Sequence, residues 1–216
     1  AEGHTHLHSQ SAAEALLRVQ ADFGATNFRW FIVSAGPGVY ASSARGVSFV
    51  AVATDRSLGY QAFERSRSLL IATSDSQNTT LFWSGSAGTF MQILAPNSAP
   101  AVKYSIAYQG FLFLLNSAIR PRGMFYAPEP TVTTDAWASS FDLPSSQDDE
   151  ITGAILLNRK LYVSMRSKLF RVSFIGGNTD FGYQDVKDWG WIPGTVKKIT
   201  LPDVGEVIIA LDWNRN

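Results

Sequence analysis

The chain has 216 residues, of which 45% are hydrophobic and 12% aromatic but only 17% charged. That balance supports a substantial core and suits strands packed on their faces better than long solvated helices. Lys and Arg total 18 and Asp and Glu total 18, so the formal net charge is +0, which leaves no electrostatic footprint for nucleic acid or an anionic membrane. The absence of cysteine excludes disulfides and thiolate metal sites, and no apolar run approaches the ~20 residues of a membrane span. Neutrality also removes colloidal repulsion, which suits a subunit of an assembly better than a free monomer.

The chain starts at Ala1 with neither a methionine nor a signal-peptide pattern, as expected for a processed start or a piece of a longer protein. His4, His6 and His8 are the three histidines, and on a strand they would share one face. Around a three-fold axis such a face could hold a transition metal through imidazoles. With no other His or Cys to complete a site, a mobile polar arm is the plainer reading, and no metal or other cofactor is expected. Ser11–Val19 reads as a short helix, with Ser11 as cap and Glu14 three residues later. Residues 1–22 are therefore expected to form an arm with a short helix, and residues 23–216 the folded domain.

From Phe23 the texture is β. Asn27–Ser34, Val39–Ala41 and Val47–Thr54 are strand candidates, and Gln61–Glu64 is a weaker one. Further runs are Leu69–Thr73, Thr80–Ser84, Phe90–Leu94, Phe111–Leu115, Met124–Ala127 and Phe141–Leu143. The densest stretch follows: Ile151–Leu157, Leu161–Met165 and Leu169–Phe174 are separated by Asn158-Arg159-Lys160 and Arg166-Ser167-Lys168. Breaks so short allow only hairpins, so this is a tight antiparallel meander. A Gly/Asn/Asp loop, a strand at Trp189–Ile192 and a last one at Val207–Leu211 complete the series.

Matching apolar strands begin near residues 69, 111, 161 and 207, at offsets of 42, 50 and 46. A period of roughly 40–50 residues with several short strands per unit is the signature of β-propeller blades. Fewer than five full blades fit, so a partial ring is expected; an ordinary sandwich with an accidental period is the alternative.

Candidate chemistry is sparse. Asp148-Asp149-Glu150, with Asp142 and Asp135 upstream, could hold Ca²⁺ or supply a glycosidase pair. The cluster lacks the alternating spacing of a Ca²⁺ loop, and solvated charge ahead of a buried strand is the commoner outcome. Trp83, Trp137, Trp189, Trp191 and Trp213 fall at strand ends, where exposed rings would stack on sugars and buried ones would fill gaps between sheets; the recurrence favours packing. Gly36-Pro37-Gly38 and Gly176-Gly177-Asn178 are turns without a phosphate-binding helix, and no Ser-His-Asp arrangement is available. No catalytic residue is expected, and no binding residue is assigned.

The stretch Met124–Val172 carries a resemblance: MFYAPEP, Trp137, FDLPSS at Phe141–Ser146, DEITG at Asp149–Gly153, NRKLYV at Asn158–Val163 and RSKLFRV at Arg166–Val172. It resembles the β-propeller-type structural proteins of tailed-bacteriophage virions found in neck, tail or fibre, and loosely extends through Leu69–Leu94. The resemblance implies an oligomeric virion component in an extracellular particle, held by contacts with other virion proteins and without catalysis. A module binding host-surface carbohydrate or a receptor through its loop tryptophans is the alternative.

Overall fold

The computed structural model describes residues 21–23, 28–35, 38–42, 48–53, 62–66, 69–73, 80–83, 91–92, 99–128, 137, 139–176 and 181–213. Every regular element among them is a strand. The expected arm helix at Ser11–Val19 and the three histidines lie outside the described residues.

Among the described residues, eighteen strands form five antiparallel sheets, each built from strands consecutive in the chain. The first sheet contains β1 (Ala21–Phe23), β2 (Phe28–Ala35), β3 (Gly38–Ser42) and β4 (Val50–Ala53). The second contains β5 (Ala62–Ser66), β6 (Leu69–Thr73), β7 (Leu81–Trp83) and β8 (Met91–Gln92). β9 (Val102–Tyr108), β10 (Phe111–Ser117), β11 (Gly123–Pro128) and β12 (Ser140–Asp142) form the third. The fourth is β13 (Ile151–Leu157), β14 (Lys160–Met165), β15 (Leu169–Phe174) and β16 (Phe181–Lys187). A hairpin of β17 (Lys197–Leu201) and β18 (Gly205–Ile209) is the fifth.

The periodic strands of the sequence, near 69, 111, 161 and 207, are β6, β10, β14 and β18, each the second strand of its sheet. In β10 the signal is strong because its neighbours cover both faces. There Leu112 and Leu114 pack toward the second sheet with Ile71 and Phe82. The alternating Phe113 and Leu115 pack toward the fourth with Val163 and Phe170. A strand buried on both sides reads as a continuous apolar run, here FLFLL, rather than as an alternation.

The predicted meander is present, its middle strand starting one residue earlier than expected, at Lys160, so its first turn is a two-residue hairpin. Asn158 (φ 48°) and Arg159 (φ 60°) both take left-handed backbone, as Gln109 (φ 51°) and Gly110 (φ 81°) do between β9 and β10. This geometry matches the right-handed twist of the flanking strands. The expectation at Trp189–Ile192 needs correction: that segment makes only an isolated bridge, Trp191 to Asp212. The fourth strand of that sheet is instead β16, within the stretch read as a loop. β16 is an outer edge whose residues after Phe181 and Gly182 are exposed, so it lacks the apolar signature of an inner strand.

The first strands of successive sheets are neighbours: β9 runs beside β5, and β13 beside β9, with β18 against β13. Polar links reinforce the stacking. Thr73 Oγ1 of β6 donates to Lys103 O at 3.1 Å, Ala107 N of β9 donates to Glu64 Oε1 of β5 at 3.3 Å, and Thr80 Oγ1 donates to Pro100 O at 2.7 Å. Between the third and fourth sheets, Phe181 is the aromatic hub. Its ring meets Phe113, Phe111 and Tyr126 edge-on at 4.8, 5.0 and 5.2 Å between centroids, the arrangement aromatic quadrupoles prefer.

Candidate functional site

The acidic run Asp148-Asp149-Glu150 splits three ways. Asp148 points to solvent. Asp149, 4% exposed, turns inward: Oδ1 accepts from the backbone N–H of Arg166 at 2.8 Å and of Glu150 at 2.9 Å. Its Oδ2 accepts from the hydroxyls of Ser167, at 2.5 Å, and Ser145. The carboxylate thus fastens the loop before β13 to the β14–β15 turn. Partial burial pushes this carboxyl up, but the hydroxyls of Ser145 and Ser167 and the two backbone donors outweigh it and hold it below its ordinary value.

Glu150 bridges two sheets. Its Oε2 accepts from Lys103 Nζ of β9 at 2.6 Å and from Asn116 Nδ2 of β10 at 3.1 Å, and its Oε1 from Arg166 Nη2 at 2.5 Å. Asn116, itself left-handed at φ 63°, donates also to Ile151 O at 2.7 Å. Burial raises the Glu150 pKa, but hydrogen bonds from Lys103, Asn116 and Arg166, together with the Lys103 charge, override it and bring it to about 2. A carboxyl held lower in the folded than the unfolded state stabilises above its unfolded pKa, near 4.5. That contribution is lost as pH falls toward about 2. In thermal melts, the gap in Tm between the native protein and Glu150→Gln is expected to close progressively across that window. A gap independent of pH would contradict this role.

Both inward carboxylates are therefore committed to holding strands; the expected solvated charge describes Asp148 alone, because Asp149 is buried and Glu150 half-buried in bonds to neighbouring elements. Asp142 takes part in an exposed ion pair with Arg120, Nη2 to Oδ1 at 3.0 Å, and Asp135 lies outside the described residues. Among the described residues no group of three or more His, Asp or Glu is placed to hold a metal ion. Lys103, Asn116, Ser145 and Ser167 escape the sequence reading. Only the polar residues ending the apolar run at Asn116-Ser117 hint at them.

The tryptophans divide. Trp83, Trp137 and Trp191 are buried, so their recurrence reflects packing. Trp189 and Trp213 are 36% and 43% exposed, and the Arg166 guanidinium lies 5.6 Å from the Trp213 ring centroid. Trp191 is held by its backbone N–H, which donates to Ser164 Oγ at 2.8 Å. Its indole covers Gly153, where a Cβ would stand 2.9 Å from Nε1; Gly153 also sits at a bulge in β13 with φ 155°.

A cavity of about 210 Å³ opens where β9, β13 and the start of β17 converge, between Tyr104, Ser105, Gly153, Ala154, Val196 and Lys197. It is smaller than the roughly 300–1,000 Å³ usual for small-molecule sites. The broader accessible feature is apolar and lies on the fifth sheet and beyond it, where Leu201, Val204, Ile209 and Leu211 are 39%, 69%, 54% and 61% exposed. These positions suit contact with another protein surface rather than chemistry. No helix among the described residues is long and apolar enough to cross a membrane.

No protein-family model and no curated protein sequence matches the chain. Solved structures do. The chain is similar to YCF48, in a structure where that protein is bound to a D1 peptide, with a TM-score of 0.52 and 10% identity over 84% of this chain and 58% of that one. It is also similar to the extracellular domain of the hybrid two component system BT4673 from B. thetaiotaomicron, with a TM-score of 0.54 and 14% identity over 94% of this chain and 28% of that one. The chain thus spans little more than half of the first and under a third of the second. At such identities the likeness concerns the fold. Successive small antiparallel sheets, stacked through their first strands, make this an all-β, β-propeller-like protein.

Proposed function

We propose that this chain is a non-enzymatic structural component of a multimeric assembly, acting through protein–protein contacts, and that the assembly is a virion of the tailed-bacteriophage type. The observation that carries the contact reading is the exposed apolar surface of the fifth sheet, beside inward carboxylates occupied by structural bonds. Peptide binding by the similar YCF48 is consistent with a propeller-like scaffold used for protein recognition. The virion assignment rests on the motifs of Met124–Val172, and places the protein in an extracellular particle. Mass spectrometry of density-purified particles from a culture producing the protein is the test. The chain is expected in fixed stoichiometry with the other particle proteins. Its absence from particles, with abundant soluble protein in the same lysate, rejects the virion role.

A second reading, a module binding host-surface carbohydrate, is favoured by one observation: the partly exposed rings of Trp189 and Trp213. Titration of candidate glycans against tryptophan fluorescence separates the two, since only this reading expects a saturable change.

A further inference from the structure

We propose that the cavity where β9, β13 and β17 converge is a binding site for a short-chain carboxylate. The proposal goes beyond the protein-contact reading above and does not depend on it. The three strands are the first of successive sheets. Tyr104 and Ser105 come from β9, Gly153 and Ala154 from β13, and Val196 and Lys197 from the entry to β17.

The charge of this wall has one sign. Among the described residues lining the cavity, Lys197 is the only charged one. Its ammonium has no ion-pair partner among the described residues. The next lysine falls on the opposite face by strand alternation and is committed, Lys198 Nζ lying 2.9 Å from Glu206 Oε1. No described aspartate or glutamate lines the cavity, so the wall attracts an anion and repels a cation.

Two donors without partners stand at the same wall. Ser105 Oγ is shut off from bulk water and makes no hydrogen bond, and the same holds for Trp191 Nε1. The Trp191 indole lies directly against Gly153, where a Cβ would stand 2.9 Å from Nε1. A hydroxyl left unpaired beneath the surface is costly, and a turn about χ1 lets it meet an oxygen in the cavity that Ser105 borders. One ammonium and one hydroxyl match the single charge and two oxygens of a carboxylate. A phosphate dianion is better served by a bidentate arginine or a nest of backbone N–H groups, and no described arginine lines the cavity. Val196, Ala154 and the Tyr104 ring offer apolar wall for a short hydrocarbon chain, and the volume of about 210 Å³ keeps the ligand small. Lys197 is exposed, so water screens its charge and the affinity is weak, with a Kd of about 1 mM.

Proton–nitrogen NMR of the isotope-labelled whole chain, titrated with sodium propionate, tests this. The reporter is the indole N–H resonance of Trp191, identified by its loss in Trp191→Phe or, if that variant does not fold, by through-space contacts to Gly153. Propionate is expected to move it saturably, while sodium chloride at equal ionic strength and the neutral isostere propionamide leave it in place. Lys197→Met is expected to weaken binding about tenfold and Ser105→Ala about threefold. Lys198→Met, on the other face of the strand, is expected to bind as the native protein does; thermal melts check that the variants remain folded. If Lys197→Met does not fold, Lys197→Gln replaces it. A resonance that propionate never moves overturns the proposal. So does an equal response to propionamide, or equal affinity in Lys197→Met and Lys198→Met.

Discussion

Gly190→Ala is expected to destabilise the fold by about 4 kcal/mol, at the upper end of single-substitution effects. A Cβ at this position would lie 1.5 Å from the backbone carbonyl oxygen of Met165 and 2.7 Å from both its carbonyl carbon and Ser164 Oγ. The obstacle is the end of β14, hydrogen-bonded to β13 on one side and β15 on the other, so it cannot give way as a flexible side chain would. The segment carrying Gly190 must lift instead. Lifting it breaks the bond from Trp191 N to Ser164 Oγ, separates Trp191 from Asp212 and opens the burial of the Trp191 ring, 1% exposed. Overpacking in a well-packed core ordinarily costs about 1–3 kcal/mol; loss of the tryptophan anchor adds to it. Denaturant titration followed by tryptophan fluorescence measures the effect. A cost under about 1 kcal/mol would mean the segment accommodates a methyl without releasing Trp191.

Asp149→Ala is expected to cost about 3 kcal/mol, because it strands two backbone N–H groups and two hydroxyls in a mostly buried place. Asp149→Asn is expected to cost about 1 kcal/mol. Both backbone bonds, from Arg166 and Glu150, go to Oδ1, which an asparagine oxygen can replace. Its Nδ2 would then face Ser145 and Ser167, whose hydroxyls can rotate to accept. Equal losses in the two variants would show that the negative charge matters rather than the hydrogen-bonding geometry. Urea denaturation of both variants at neutral pH makes the comparison.

These two sites also mark where sequence reading succeeds and fails. The meander Ile151–Phe174 was legible because each strand is an apolar run and each break is too short for anything but a tight turn. The period was legible because second strands such as β10 bury both faces. The first strands β9 (VKYSIAY) and β17 (KKITL) interleave Lys, Tyr, Ser and Thr with apolar residues and do not announce themselves. β16 is polar along most of its length because it is an edge. The place of the acidic run before a buried strand suggested solvated charge, which holds for Asp148 but not for the inward Asp149 and Glu150. Its partners could not be read, since Lys103 and Asn116 lie 47 and 34 residues from Glu150 in the chain. Gly190 is invisible for a related reason, as the backbone that crowds it comes from another part of the sheet.

Every hydrogen-bonded strand pair described joins strands that follow one another in the chain. No ladder has to wait for a distant segment, so loop-closure entropy stays small and each sheet can zip from its own hairpins. Emerging from a ribosome at about 5–20 residues per second, such a chain can complete one layer before the next is synthesised. Each finished layer then offers its exposed side as a template for the one that follows. The molecule is in this sense quasi-one-dimensional, growing by deposition along a single direction.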